Sequence, residues 1–208
     1  MRFLSRKIHP RFFPALVLVL ALLSPAGKQG WGQEAGPPSG KSEKSPVVIA
    51  EWNFEDGNKR TAINPSNFAY TADAGIPANI HIAPLTNSGA VFTSFVRGTG
   101  GPGTFAPNFD RWNDGANSKY WLVTFSTIGF ENVSISSAQR SSPTGPRDFA
   151  LQISINGGGS WTDLLSYTVG DGPIEEKDFA TCSISASLPV NADNQRSVLV
   201  SWSMVSNI

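Results

Sequence analysis

The sequence is short of reactive and of charged side chains. Its 208 residues include one cysteine, two histidines and two methionines, and only 15% are Asp, Glu, Lys or Arg. A soluble domain usually carries about 25%. A single cysteine excludes an internal disulfide, and so few Cys and His residues exclude the usual zinc sites. Sixteen basic residues balance sixteen acidic ones. The chain therefore lacks the basic stripe that nucleic acid requires, and no nucleic-acid partner is expected. No stretch reaches the roughly 20 apolar residues that cross a bilayer, so no transmembrane segment is expected. No amphipathic helix and no fixed-period repeat stands out. Turn formers are what the chain has in quantity: 20 glycines and 15 prolines. They favour short elements.

The charge balance is uneven along the chain. Arg2, Arg6, Lys7 and Arg11 precede an apolar run from Phe12 to Leu23, broken by Pro14, and small residues follow. A basic start, a short apolar core and a small-residue cleavage zone are the pattern of a secretory signal peptide. Residues 24–26 (SPA) and 30–32 (GWG) both put small residues at the −3 and −1 positions of a cleavage site. The second, which leaves Gln33 first, is preferred, so residues 1–32 read as signal peptide and the protein as secreted and extracellular. The absence of cysteine after the apolar run excludes a lipoprotein anchor. Cleavage removes five of the sixteen basic residues and none of the sixteen acidic ones, leaving a net charge of −5. His81 and Cys182 are then the one histidine and the one cysteine. Residues 33–46 (QEAGPPSGKSEKSP) are polar, rich in Pro and Gly, and read as a flexible leader. The folded domain is expected over residues 47–208.

There the hydrophobic period is two. Alternation runs through Val48–Phe54, Tyr120–Phe125, Phe149–Ile155 and Val198–Met204, with shorter candidates at Ile80–Ala83, Ala90–Arg97, Val133–Ser136, Leu164–Val169 and Thr181–Ser185. Strict alternation marks half-buried antiparallel strands. About nine short strands separated by Gly, Pro, Asn and Asp predict an all-β sandwich. Cys182, inside one such strand, reads as a small buried residue. His81 falls between two apolar neighbours, on the more polar face. Residues 98–115 read as a long glycine-rich loop bearing Phe105, Phe109 and Trp112. Such a loop is either a binding surface or a plug closing one end of the sandwich.

Residues 154–161 (SINGGGSW) fit the pattern S-x-[DN]-x-G-x-[ST]-W, which resembles the Asp-box hairpin. Asn156 and the glycines suit the positive φ of a tight turn, and Ser154 and Asn156 can bond within it. Trp161 is expected to be largely buried against the hairpin, as a structural side chain. One copy of the box argues against a sialidase-like propeller. The stretch leading into it, residues 142–154 (SPTGPRDFALQIS), follows residues 128–136 (IGFENVSIS), and the domain opens with residues 49–54 (IAEWNF). Together these resemble a module of secreted bacterial proteins, over roughly residues 47–208. The resemblance implies an antiparallel jelly-roll β-sandwich of the galactose-binding-like type, akin to discoidin and carbohydrate-binding domains. Such modules continue into one more strand, so the resemblance also implies that residues 47–208 lack the closing strand.

Several chemistries compete for this frame. Jelly rolls of this kind often hold a structural calcium with carboxylates and carbonyls near the chain ends. Glu51 on the first strand, with Glu55 and Asp56 beside it, is one candidate ligand set. Asp171 and Asp178, flanking Glu175 and Glu176, form the other. Catalysis is not expected. His81 is the one histidine for a triad, no Gly-x-Ser-x-Gly elbow occurs, and paired carboxylates for glycoside hydrolysis cannot be singled out. The leading expectation is a secreted, non-catalytic binding module whose partner is a glycan or another cell-surface component. Sugar sites stack a pyranose face on Trp or Tyr, so Trp112 and Tyr120 are the candidate platforms. Asn108, Asp110, Arg111, Asn113 and Asp114 are the candidate polar partners. The alternatives are a structural or adhesive module of a larger surface protein and, behind it, a hydrolase.

Overall fold

Alternation in the sequence becomes alternation in burial. The computed structural model describes residues 15–20, 47–64, 68–75, 79–83, 90–97, 105–142, 144–170 and 180–206. Within the strand Tyr120–Phe125, Trp121, Val123 and Phe125 are buried, while Tyr120, Leu122 and Thr124 are half-exposed. The fold is all-β. Its strands are β1 (Ala15–Leu20), β2 (Ala50–Trp52), β3 (Ala69–Thr71), β4 (Ala74–Gly75), β5 (Asn79–Ala83), β6 (Val91–Arg97), β7 (Phe105–Asp110), β8 (Tyr120–Phe125), β9 (Ser134–Ser141), β10 (Asp148–Ser154), β11 (Thr162–Thr168), β12 (Ala180–Ser187) and β13 (Val198–Met204). One short helix, α1 (Gly57–Thr61), follows β2. No helix among the described residues is long and apolar enough to cross a membrane.

The strands form two sheets. The smaller runs β11-β10-β13-β8-β5-β3. The larger runs β12-β9-β1-β2-β4, with β7 joining at β1 and β6 pairing β7. All of these pairs are antiparallel. The core between the sheets is built from rings. Phe109 of the larger sheet meets Trp121 of the smaller edge-on, with centroids 4.7 Å apart, and Phe68 packs on Phe92 and Phe109. Edge-to-face pairs suit the aromatic quadrupole. Trp52, Trp121 and Trp202 are fully enclosed, and their polar handles are used. Trp52 Nε1 donates to the Tyr70 carbonyl (3.0 Å) and Trp202 Nε1 to Ser137 Oγ (2.9 Å). Both bonds tie one sheet to the other.

Two segments differ from the sequence reading. Phe105–Asp110, expected in a loop, is a strand paired with β6. Ala15–Leu20, the centre of the apolar run read as signal peptide, is paired as β1 between β2 and β9. The expected first strand, Val48–Phe54, shortens to Ala50–Trp52. After it the chain turns at Phe54, which adopts φ 58°, an unfavourable value for a bulky residue. Asp73 holds that turn. Its Oδ2 accepts from the Asn53 and Phe54 N–H groups (3.0 and 2.7 Å), and its Oδ1 accepts from Tyr70 Oη (3.0 Å) and Lys59 Nζ (3.3 Å). Phe54 itself is buried against Tyr70, with ring centroids 4.9 Å apart.

Candidate functional site

The loop predicted to bind a ligand is built inward. Trp112 is 2% exposed, and its Nε1 donates to the Phe109 carbonyl (3.3 Å). Its ring packs 6.1 Å from those of Trp121 and Phe149. A side chain in that position adds to the core and offers no face to a sugar. Asn108 is also buried and donates to Thr93 Oγ1 (2.8 Å) across the β6–β7 pair. Asp110 closes β7, with one carboxylate oxygen enclosed and without a hydrogen-bond partner. Arg111, Asn113 and Asp114 are exposed. Arg111 and Asp114 have left-handed φ values of 60° and 52°, which aim loop carbonyls inward. Lys119, 5% exposed, donates to the carbonyls of Arg111 (2.6 Å) and Asn113 (2.5 Å). Burial lowers the Lys119 pKa, opposed by the charge of Asp114. A Cβ on Gly115 would lie 2.6 Å from the lysine stem and 2.8 Å from the Trp112 carbonyl. The segment after β7 thus packs as a plug around an enclosed ammonium.

Tyr120, the remaining predicted platform, belongs to another surface. It is half-exposed on the outer face of the smaller sheet, and its ring lies 6.5 Å from that of Trp161, tilted by 58°. Trp161 is reached from the hairpin joining β10 to β11. That hairpin closes as its sequence suggests. Ser154 Oγ accepts from the Gly158 N–H (2.9 Å), and Asn156 Oδ1 accepts from the Ser160 N–H and from Ser154 Oγ (both 2.9 Å). Asn156 Nδ2 donates to Ser160 Oγ (2.8 Å). The positive φ angles fall on Gly157 (72°) and Gly158 (91°). Trp161 crosses the tip close to Gly158. It is only half-buried, which departs from the expectation of a largely buried cap.

The strand register shows what surrounds this pair. Leu122 of β8, Ser201 of β13, Gln152 of β10 and Asp163 of β11 stand side by side in one row. Gln152 Nε2 donates to Asp163 Oδ1 (2.7 Å), and Ser201 Oγ lies 3.4 Å from Gln152 Oε1. The next row holds Tyr120, Ser203 and Ala150. His81 of β5 is paired opposite Leu122, at a position of the same outer face. The central strand carries serines here, Ser201 and Ser203, which are overlain by the larger neighbours and buried. The result is a face of small, hydroxyl and amide groups, with the rings of Tyr120 and Trp161 approaching each other from opposite sides of the Gln152 row. Trp161 was missed as a component of this face. Its one sequence signal was its place at the foot of a hairpin whose next residues alternate with Asp163.

Of the predicted calcium ligands, the structure describes Glu51 and its neighbours Glu55 and Asp56. Asp171 and Asp178 lie outside the described residues. Among the described residues no group of three or more His, Cys, Asp or Glu side chains could hold a metal ion. Glu51 sits singly on β2, and Asp56 caps α1 by accepting from the Asn58 and Lys59 N–H groups (2.9 and 3.2 Å). Cys182 is half-buried in β12 and packed against the core. A shallow pocket of about 190 Å³ lies between α1 and β3, lined by Lys59, Ile63 and Tyr70 among others. No family model matches the chain, and neither a curated protein nor a solved structure matches it.

Proposed function

We propose that residues 47–208 form a non-catalytic, jelly-roll-type binding module of an exported protein, and that it takes a glycan on the outer face of the smaller sheet. The observation that carries this reading is the half-exposed Tyr120–Trp161 pair beside the Gln152–Asp163 hydrogen bond. A pyranose offers an apolar C–H face and a rim of hydroxyls. Aromatic rings with a polar edge suit the first, and an amide next to a carboxylate suits the second by donating and accepting. The site moves from the predicted loop to the sheet and keeps Tyr120 from that set. The secretory character of residues 1–32 supports an extracellular partner.

Affinity electrophoresis of the wild-type chain against a panel of soluble polysaccharides tests this. Tyr120→Ala and Gln152→Ala should each weaken retention by the retaining polymer about tenfold, while Asp114→Ala on the plug should leave it unchanged. Retention unaffected by both sheet-face changes overturns the site. Lack of retention by any polymer favours the structural or adhesive module instead.

A further inference from the structure

We propose that the gap between β2 and β9 is a strand-acceptor site, filled here by Ala15–Leu20, and that it takes an extended apolar strand from a separate polypeptide once those residues are removed. The proposal concerns the larger sheet and is independent of the glycan face. β1 is an interior strand. Leu18, Val19 and Leu20 pair with Trp52, Glu51 and Ala50 on one side. Ala15 to Val19 pair with Arg140 to Ser136 on the other. The same residues form the apolar core of the sequence read as a cleavable signal. The chain that has lost residues 1–32 therefore keeps both walls and loses what joins them. Adjacent strands stand about 4.8 Å apart, so the vacated walls would be roughly 10 Å apart.

The walls are held open from behind. β9 is tied to the smaller sheet by Trp202 Nε1 on Ser137 Oγ (2.9 Å) and by the Tyr167 hydroxyl on Gln139 Oε1. β2 is tied to it by Trp52 Nε1 on the Tyr70 carbonyl (3.0 Å), and Asp73 fixes the two residues after Trp52. Closing the gap directly would break these buried bonds, and a buried donor left unpaired is costly. An added strand instead satisfies the backbone of both walls, which is how strand addition generates affinity. Because the seated segment is ALVLVL, the partner segment has about six extended apolar residues running antiparallel to both walls.

The full chain tests this when a specific protease site is placed within residues 33–46. The chain is folded intact, cut, separated from its released N-terminal segment in mild urea, returned to buffer, and incubated with an excess of a labelled, lysine-flanked peptide of residues 15–20; the uncut chain is carried through the same steps. The cut chain should take up at least tenfold more label than the uncut chain, and the same peptide carrying Val17→Pro should not be taken up. Equal uptake by cut and uncut chains, equal uptake of the proline peptide, or no uptake at all overturns the proposal.

Discussion

Asp148 opens β10 with both carboxylate oxygens engaged. Ser206 Oγ donates to Oδ2 (2.7 Å) and Thr168 Oγ1 to Oδ1 (2.9 Å). These two bonds hold its pKa below the ordinary value of 3.8, against the smaller upward effect of burial. A carboxyl whose folded pKa is depressed contributes stability above its unfolded pKa and loses it as pH falls through the folded value. The expected outcome is a decline in melting temperature below about pH 4 that Ser206→Ala makes shallower, with the Asp148 carboxyl titrating at higher pH in that variant by NMR. An unchanged titration would show that the serine contact is not made in solution. The indoles teach a related lesson about single residues. Trp112 and Trp161 both follow polar, turn-rich stretches, and composition alone could not separate them. The left-handed turn at Arg111 precedes Trp112, which packs into the core, whereas Trp161 crosses an outward hairpin.

The hairpin from Ser154 to Trp161 is the element whose local sequence states its own geometry most fully. Asn156 makes three side-chain bonds there. Asn156→Ala should cost about 1–2 kcal/mol by urea unfolding, since each exposed or half-buried bond contributes modestly. Trp161→Ala should cost about 1.5 kcal/mol, because only part of the indole leaves water. A core aromatic would cost about 3–5 kcal/mol. A loss in that upper range would make Trp161 a structural residue and remove it from the proposed binding face. Strands were legible where one face is solvated. In β8 the burial alternates as the sequence does, and β10 and β13 were legible from their alternating apolar residues. β7 was not legible, because Ala106, Pro107, Asn108 and Phe109 are all buried and no alternation marks it. Its proline, opposite Phe95 on β6, is tolerated because, among the described residues, β7 pairs with β1 at Asn108 alone. The face proposed to take a glycan stayed hidden for a different reason. It joins β8 to the β10–β11 hairpin across β13, and only that pairing brings Tyr120 together with Gln152, Asp163 and Trp161.

At the scale of the molecule, the sequence of residues 15–20 suits two physical ends. An apolar run that suits an export signal also suits an interior strand, since both require side chains that prefer to leave water. Among the described residues, this run is the sole bridge in the larger sheet between the β12-β9 pair and the remainder. Removing it exposes two rows of backbone donors and acceptors, the kind of edge that recruits other chains. The chain beginning at Gln33 should therefore unfold at a lower urea concentration than the chain beginning at Met1. It should also associate with rising concentration in sedimentation velocity. Adding the peptide of residues 15–20 at a hundredfold its Kd should restore about 2.7 kcal/mol of stability, as binding to the folded state alone requires. Both effects arise from one cause, so they should disappear together when the peptide is present. Equal urea midpoints for the two chains would mean that β1 adds nothing to the stability of the sheet. The bonds from Trp202 and Trp52 to the opposite sheet would then suffice to hold β9 and β2 in place.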